Sequence, residues 1–384
     1  MHVVVVGAGL AGVSVACALA GRATVTLVDR GPLGAEASSD NAGMLRRMGE
    51  DPYERALALR THERLVREPW LAEVSRACGA VLAFGRDPGH LHDAAAHLRW
   101  AGVPHRWVER FDEVPALAGS PVLGGWWLPE ERVVDPWALL QVLWARARAG
   151  GVERVRDEVA GIVTDDGRVT GVQLAEGRLA ADAVVLAAGA WSAELAARVG
   201  APIPLVPLRR SLVQTAAHAL SSPDHPWCWV DDEGVYVRPE SGGWLISGCD
   251  EAVETHLAVP SRGPVEAEGR ALALHKLQQW FPALGDATPR GGWTGLRTFA
   301  PDRRPVLGLD PAVPGLWWAA GLGGFGVSCG LAAGEAVAAW LLEGSVDWIS
   351  PRGVSPRRPM LQRWMIRPTG DLAGAVAVGA GVER

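Results

Sequence analysis

The chain opens on an uninterrupted apolar run, His2-Val-Val-Val-Val6, whose β-branched residues and length predict a strand. Gly7-Ala-Gly9-Leu-Ala-Gly12 follows directly, and residues 13–19 read as a helix. A second short apolar run, Thr24-Val-Thr-Leu-Val28, ends on Asp29. Further on, Asp135-Pro136 marks a helix start, with Asp135 as N-cap and Pro136 in the first helical position. Residues 152–191 form a hairpin-rich excursion: apolar stretches at 159–164 and 169–174 flank the turn Asp165-Asp166-Gly167, and the chain returns to a buried strand at 183–188, with Gly189 at its end. Residues 205–215 and 234–248 read as strands, and residues 271–280 as a helix.

Two apolar stretches are long enough to suggest a membrane or an export signal. Residues 3–20 lack a basic leader and are punctuated by Gly7, Gly9 and Gly12, so they do not read as a signal peptide. Residues 315–342 contain a run of glycines and the acidic Glu335, which predicts a buried loop and helix rather than a transmembrane span. Five scattered cysteines without a C-x-x-C pair argue against a disulfide framework and a zinc site, and fit a reducing cytoplasm. The histidines at 90, 92 and 97 read as a solvated surface cluster, and no metal site is expected.

With 384 residues, 48% of them hydrophobic and 21% charged, the chain can build two domains' worth of core. Its net charge of −6 leaves no broad cationic surface for nucleic acid or anionic lipid. The chain holds a single Lys (Lys276), a single Asn (Asn41) and only two Tyr (Tyr53 and Tyr236), a bias of the kind that GC-rich coding produces. Asn41 and Tyr236 therefore stand out as residues whose work a substitute does not do.

The clearest chemistry lies in the first 30 residues. A strand, a Gly-x-Gly-x-x-Gly turn, a helix and a second strand ending in an acid form the unit that binds dinucleotides. Gly7 permits the tight turn, Gly9 lets the backbone approach a pyrophosphate, and Gly12 allows close helix packing. Free N–H groups at the helix start favour an anion there. Asp29, 17 residues beyond Gly12, can accept hydrogen bonds from a ribose hydroxyl and disfavours a 2′-phosphate, so FAD or NAD is preferred over NADP. The loop Glu36-Ala-Ser38-Ser39-Asp-Asn41-Ala42-Gly43-Met44 can bring hydroxyls and N–H groups to a second phosphate or a flavin edge, or form a surface turn.

Taken in order along the chain, these motifs resemble the FAD-dependent D-amino acid oxidase, glycine oxidase and sarcosine oxidase superfamily, with its bacterial D-amino acid dehydrogenases of the D-arginine type. Further landmarks are Val134-Asp135-Pro136, residues 184–191, Pro204 to Arg210, Gly234-Val-Tyr236-Val-Arg-Pro239, Trp293-Thr-Gly-Leu-Arg297, Pro301-Asp302 to Gly308, and residues 318–342. The resemblance implies an α/β fold in which a Rossmann-like FAD domain (1–84, 133–201 and 293–345) is interleaved with an α+β substrate domain (85–132 and 202–292) on a mainly antiparallel sheet. Residues 346–384 would form a C-terminal tail outside it.

The resemblance also implies site residues. On the cofactor side these are Arg30, Val159 through its backbone, Ala188, Gly189, Trp191, and the run Gly323, Gly324, Phe325 and Gly326 near the flavin ring. FAD would be held non-covalently, since no Cys or His stands where relatives tether it. The implied reaction is oxidation of the C–N bond of an amino acid or N-substituted amino acid by hydride transfer to flavin N5, giving an imine that hydrolyses. Arg297 matches the family's carboxylate-binding arginine, close to the flavin, and Tyr236 a tyrosine that reaches the same carboxylate. Arg209 and Arg210 stand where one of the pair would face the pocket. Arg46 and Met48 follow the flavin loop where D-arginine dehydrogenases have His and Tyr, which speaks against strict D-arginine specificity. The lysine that assists reaction with O₂ in sarcosine oxidases is not matched by Lys276, so a dehydrogenase using a quinone or dye is expected over an oxidase. The same fold also hosts 2-hydroxy acid dehydrogenases and could serve as a flavin-bearing subunit without turnover of its own.

Overall fold

The computed structural model describes residues 1–365 apart from 50, 88, 112, 113, 258 and 259. The valine run forms strand β1 (His2–Val6), which pairs in parallel with β2 (Thr24–Val28) on one side and with Ala183–Leu186 on the other. Flanked on both edges and covered on both faces, Val3 to Val6 are almost fully buried, which is why the run is continuous rather than alternating. Glu153–Val155 and Leu316–Ala320 extend this sheet in parallel, and Val306–Leu309 closes one edge antiparallel, giving six strands.

Helix α1 (Leu10–Leu19) connects β1 to β2 and packs against the helix Gly326–Glu343. The latter is long and apolar enough to cross a membrane, but most of it is buried in the core of this body. The expected excursion is a three-stranded antiparallel sheet, Val159–Asp165, Arg168–Leu174 and Arg178–Ala180, whose first turn puts Asp166 and Gly167 at positive φ. Asp135 caps Pro136–Ala149 as its sequence implies, accepting from the backbone N–H groups of Trp137 and Ala138 at 2.9 and 3.0 Å.

The second large sheet has nine strands and is antiparallel except where Trp227–Val230 runs parallel to Ala80–Phe84. Residues 234–248 make a hairpin of Val235–Glu240 and Gly243–Ser247. The strand Pro289–Phe299 pairs along its length with Val206–Thr215. Ala80–Phe84 and residues 293–299, assigned in sequence to the nucleotide-binding part, are therefore strands of this second sheet. The first part of the expected tail is packed: Leu307 donates to the Val354 carbonyl at 2.8 Å, and Leu361 is fully buried. Residues 366–384 lie outside the described residues.

Candidate active site

Both sheets contribute to one cavity of about 1300 Å³. At its first end is the glycine turn. Gly7, at φ +108°, donates to the Val28 carbonyl at 2.8 Å, which ties the turn to β2. A side chain on Gly12 would strike the Gly7 carbonyl oxygen, so Gly12 serves close packing beneath the turn and lies outside the cavity lining. A side chain on Gly9 would meet only the Ser38 hydroxyl, at 3.1 Å, because that face opens to the cavity. The Asp29 carboxylate is held by the N–H groups of Ala8 (2.6 Å) and Gly31 (2.7 Å), which leaves lone pairs directed elsewhere for ribose hydroxyls. Arg30 stacks over Trp191 at 4.3 Å, and Val159, Ala188 and Gly189 complete this end.

The loop after β2 divides its residues. Ser38 lines the cavity and accepts from the Leu10 N–H at 2.8 Å, which caps the start of α1. Ser39 lies outside the lining, and its hydroxyl donates to the Gly34 carbonyl. Asn41, Ala42 and Met44 line the cavity. The Asn41 side chain accepts from the Gly43 N–H at 2.8 Å, and Gly43 itself sits at positive φ against the Val134 carbonyl, outside the lining. Gly323, Gly324, Phe325 and Gly326 also line the cavity, a side chain on Gly326 would lie 3.8 Å from the Asn41 amide nitrogen, and the helix beginning at Gly326 has no side-chain cap.

At the second end Arg297 Nη2 donates to Glu251 Oε1 at 2.6 Å, while its buried Nε has no partner. Arg303 and Arg210 reach the same oxygen at 3.1 and 3.4 Å. Burial would raise the Glu251 carboxyl, but Arg297, Arg303 and Arg210 outweigh it and hold it at about 2. Arg297 is lowered to about 10 by burial and by Arg210, with Glu251 opposing. Tyr236 is buried, its ring tilted on Trp229 at 4.9 Å; burial pushes its phenol up while Arg210 and Arg297 pull it down. Arg46 lies 4.2 Å over both Trp229 and Phe325, and Met48 lines the cavity beside them.

Alternation along Val206–Thr215 separates the arginine pair. Arg210 faces the cavity, whereas Arg209 points to the other side, pairs with Glu254 and donates to Thr294 Oγ1 at 3.2 Å. Lys276, on the helix Ala267–Trp280, gives its ammonium to the carbonyls of Glu233 (2.7 Å), Gly234 (3.0 Å) and Gly248 (3.0 Å), outside the cavity lining. Among the described residues no cluster of three or more His, Cys, Asp or Glu could hold a metal. His97 departs from the surface-cluster reading, for it is half-buried and lines the cavity beside Asp93.

Sequence reasoning missed Glu251, Arg303, Trp229 and Asp40. Asp40 is buried in the cavity wall, 3.2 Å from Arg262 but not aligned for a hydrogen bond, and burial lifts its carboxyl to about 6 against the pull of Arg262.

An open glycine turn, a tethered acid at the end of β2 and an uncapped helix start along one elongated cavity fit a dinucleotide cofactor. The family profile described as DAO, FAD dependent oxidoreductase, matches residues 2–340. The chain belongs to this family. FAD is accordingly its cofactor, and this DAO-family chain is an oxidoreductase of the amino acid and amine oxidising type. It is 30% identical to glycine oxidase of Pseudomonas putida, over 82% of this chain and 87% of that one. A D-amino acid dehydrogenase of Cereibacter sphaeroides is 32% identical, over 93% and 97%. Among solved structures, glycine oxidase from Geobacillus kaustophilus superposes with a TM-score of 0.78 at 25% identity, over 93% of this chain and 98% of that one. L-proline dehydrogenase from P. horikoshii shares the fold at TM-score 0.85, covering 95% and 99% at 21% identity.

Proposed function

We propose that this oxidoreductase removes a hydride from the carbon bearing the nitrogen of an amino acid or N-substituted amino acid, with Arg297 and Tyr236 holding the carboxylate. The observation that carries this reading is their placement: both line the end of the cavity where Gly323 to Gly326 approach, and a side chain on Gly324 would lie 3.0 Å from Arg297 Nη1. FAD, when bound, supplies the two-electron acceptor. The protein's part is to orient and to set protonation states.

A charged fork at Arg297 fixes the substrate by its carboxylate and so fixes the direction of its C–H bond. The reaction also needs the amine without its proton. Arg210 stands close enough to Arg297 to disfavour its charge, and the same kind of repulsion lowers the affinity of a neighbouring substrate ammonium for its proton. Tyr236, buried and held up in its titration, stays a neutral hydroxyl donor at working pH.

The electron acceptor after substrate oxidation is a quinone or a dye rather than O₂. Supporting this, the chain's single lysine has three carbonyl partners and lies off the cavity. The cofactor is held without a covalent bond, and acid precipitation should release it into the supernatant. The deciding experiment is anaerobic bleaching of the flavin with a panel of D-, L- and N-alkyl amino acids against the matching 2-hydroxy acids. Bleaching by the hydroxy acids alone would refute the proposal.

A further inference from the structure

We propose that Arg46 anchors a second carboxylate of the substrate, so that the site takes an amino acid with two carboxylates, borne on the side chain or as an N-carboxymethyl group. This deepens the reading above and rests on Arg297 holding the first carboxylate.

Arg46 is set apart from the other arginines of the cavity. Arg30, Arg198, Arg210, Arg297 and Arg303 each have a carboxylate within ion-pair distance. Among the described residues the Arg46 guanidinium has none, nor a hydrogen-bond acceptor. The nearby Glu131 carboxylate accepts from Arg47 Nε at 3.0 Å instead. Yet Arg46 is held in place: the ring centres of Trp229 and Phe325 each lie 4.2 Å from the guanidinium carbon, and the Arg46 backbone N–H donates to Ser328 Oγ at 3.0 Å. Stacking covers the faces of the guanidinium and leaves its N–H edge, which is where a carboxylate binds.

Contacts also put this edge and Arg297 around one space. Arg46 rests on Trp229, Trp229 on Tyr236, and Tyr236 lies within electrostatic reach of Arg297. Arg297 approaches Gly324, whose neighbour Phe325 carries Arg46 again. A half-buried cation that feels Glu131 only at a distance and has no ion-pair partner is costly, and a substrate with an apolar side chain would desolvate it further without compensation. A cationic side chain would be repelled. A second carboxylate satisfies it, so the same residue selects for one substrate class and against two others.

The test uses the FAD-loaded protein and the unreactive acids glutarate and butyrate, with Kd read by calorimetry and by the visible flavin spectrum. Glutarate should bind about tenfold or more tightly than butyrate, and Arg46→Met should bring that ratio to within about threefold, with Arg46→Lys between the two. Equal affinities in the wild type overturn the proposal, as does an unchanged ratio in Arg46→Met at full FAD occupancy. Anaerobic bleaching with aspartate and glutamate of both hands, N-carboxymethylglycine, alanine and N-methylglycine then separates a side-chain carboxylate from an N-linked one. If none of these bleaches the flavin while the binding ratio holds, the oxidation reading fails and the Arg46 assignment stands. If alanine bleaches as readily as the dicarboxylates, the Arg46 assignment fails and the oxidation reading stands.

Discussion

Arg297 carries two loads at once, because the group that would hold substrate also neutralises Glu251. Truncating one partner of a desolvated charge pair costs about 2–5 kcal/mol, which at about 1.4 kcal/mol per decade is roughly 30- to 4,000-fold in kcat/KM. Arg297→Ala should fall in that range, and Arg297→Lys should recover part, having the charge without the planar fork. Stopped-flow flavin reduction at saturating substrate should slow as well, since orientation is lost together with affinity. Near-normal reduction in Arg297→Ala would move the carboxylate to Arg210.

Asp40 gives a prediction of opposite sign. Burial raises its carboxyl from 3.8 to about 6, so the folded protein holds this proton more tightly than the unfolded chain does. The stabilising contribution of the protonated form is complete below 3.8 and is lost as pH climbs through 6. At pH 8 the buried carboxylate costs about 1–3 kcal/mol. Asp40→Asn, neutral at every pH, should raise the Tm of the FAD-loaded protein at pH 8 and leave it unaltered near pH 4. A variant no more stable than wild type at pH 8 would show that Arg262 compensates the charge in full.

At the scale of elements, two helices that both start at the cavity are locked by glycine. A side chain on Gly330 would meet Leu10 Cγ at 3.0 Å, and one on Gly334 would press on Ser14 and on the Val15 nitrogen at 2.6 Å. Gly334→Val should therefore overpack the contact between α1 and Gly326–Glu343, at a cost of about 1–3 kcal/mol or more, and weaken FAD binding because the glycine turn is carried on α1. Gly161→Ala, where space is open, should stay within about 0.5 kcal/mol. Calorimetric melting and FAD titration of the two variants check this.

The same scale shows what the sequence disclosed. The β1-α1-β2 unit and the hairpin around Asp166-Gly167 were legible because period, turn residues and capping all agree locally. That Ala80–Phe84 joins the second sheet was not, since an apolar run names a strand and not its partners. Alternation says that Arg209 and Arg210 face opposite ways without saying which faces the cavity. Glu251 carried no signal at all: its partners Arg297 and Arg303 lie 46 and 52 residues further along, and only the register of Pro289–Phe299 brings Arg297 to it.

At the scale of the whole molecule, residues beyond 345 brace the site from behind. Arg358 grips Asp302 at 2.6 Å through two nitrogens and donates to the carbonyls of Arg304, Pro305 and Ser355, each at 3.0 Å, with both charged side chains nearly buried. Arg358→Ala would take the ion-pair partner from the nearly buried Asp302 carboxylate, and should cost about 3–5 kcal/mol, whereas Arg358→Met with Asp302→Leu should cost markedly less. Urea melts of both variants with FAD bound test this; a single variant as stable as the double would refute it.

The strand Pro289–Phe299 joins the two halves of the cavity. It is zipped along its length to Val206–Thr215, takes the Asp40 carbonyl on Trp293 Nε1 at 2.9 Å, and bridges from Phe299 to Leu322 at the glycine run. A beam fixed at both ends and along one side has no pivot. Substrate entry is therefore expected without one sheet swinging from the other, unlike in enzymes that close on a hinge. Turnover should accordingly be insensitive to solvent viscosity, which slows large-scale closure; a rate that falls in step with rising viscosity would refute this.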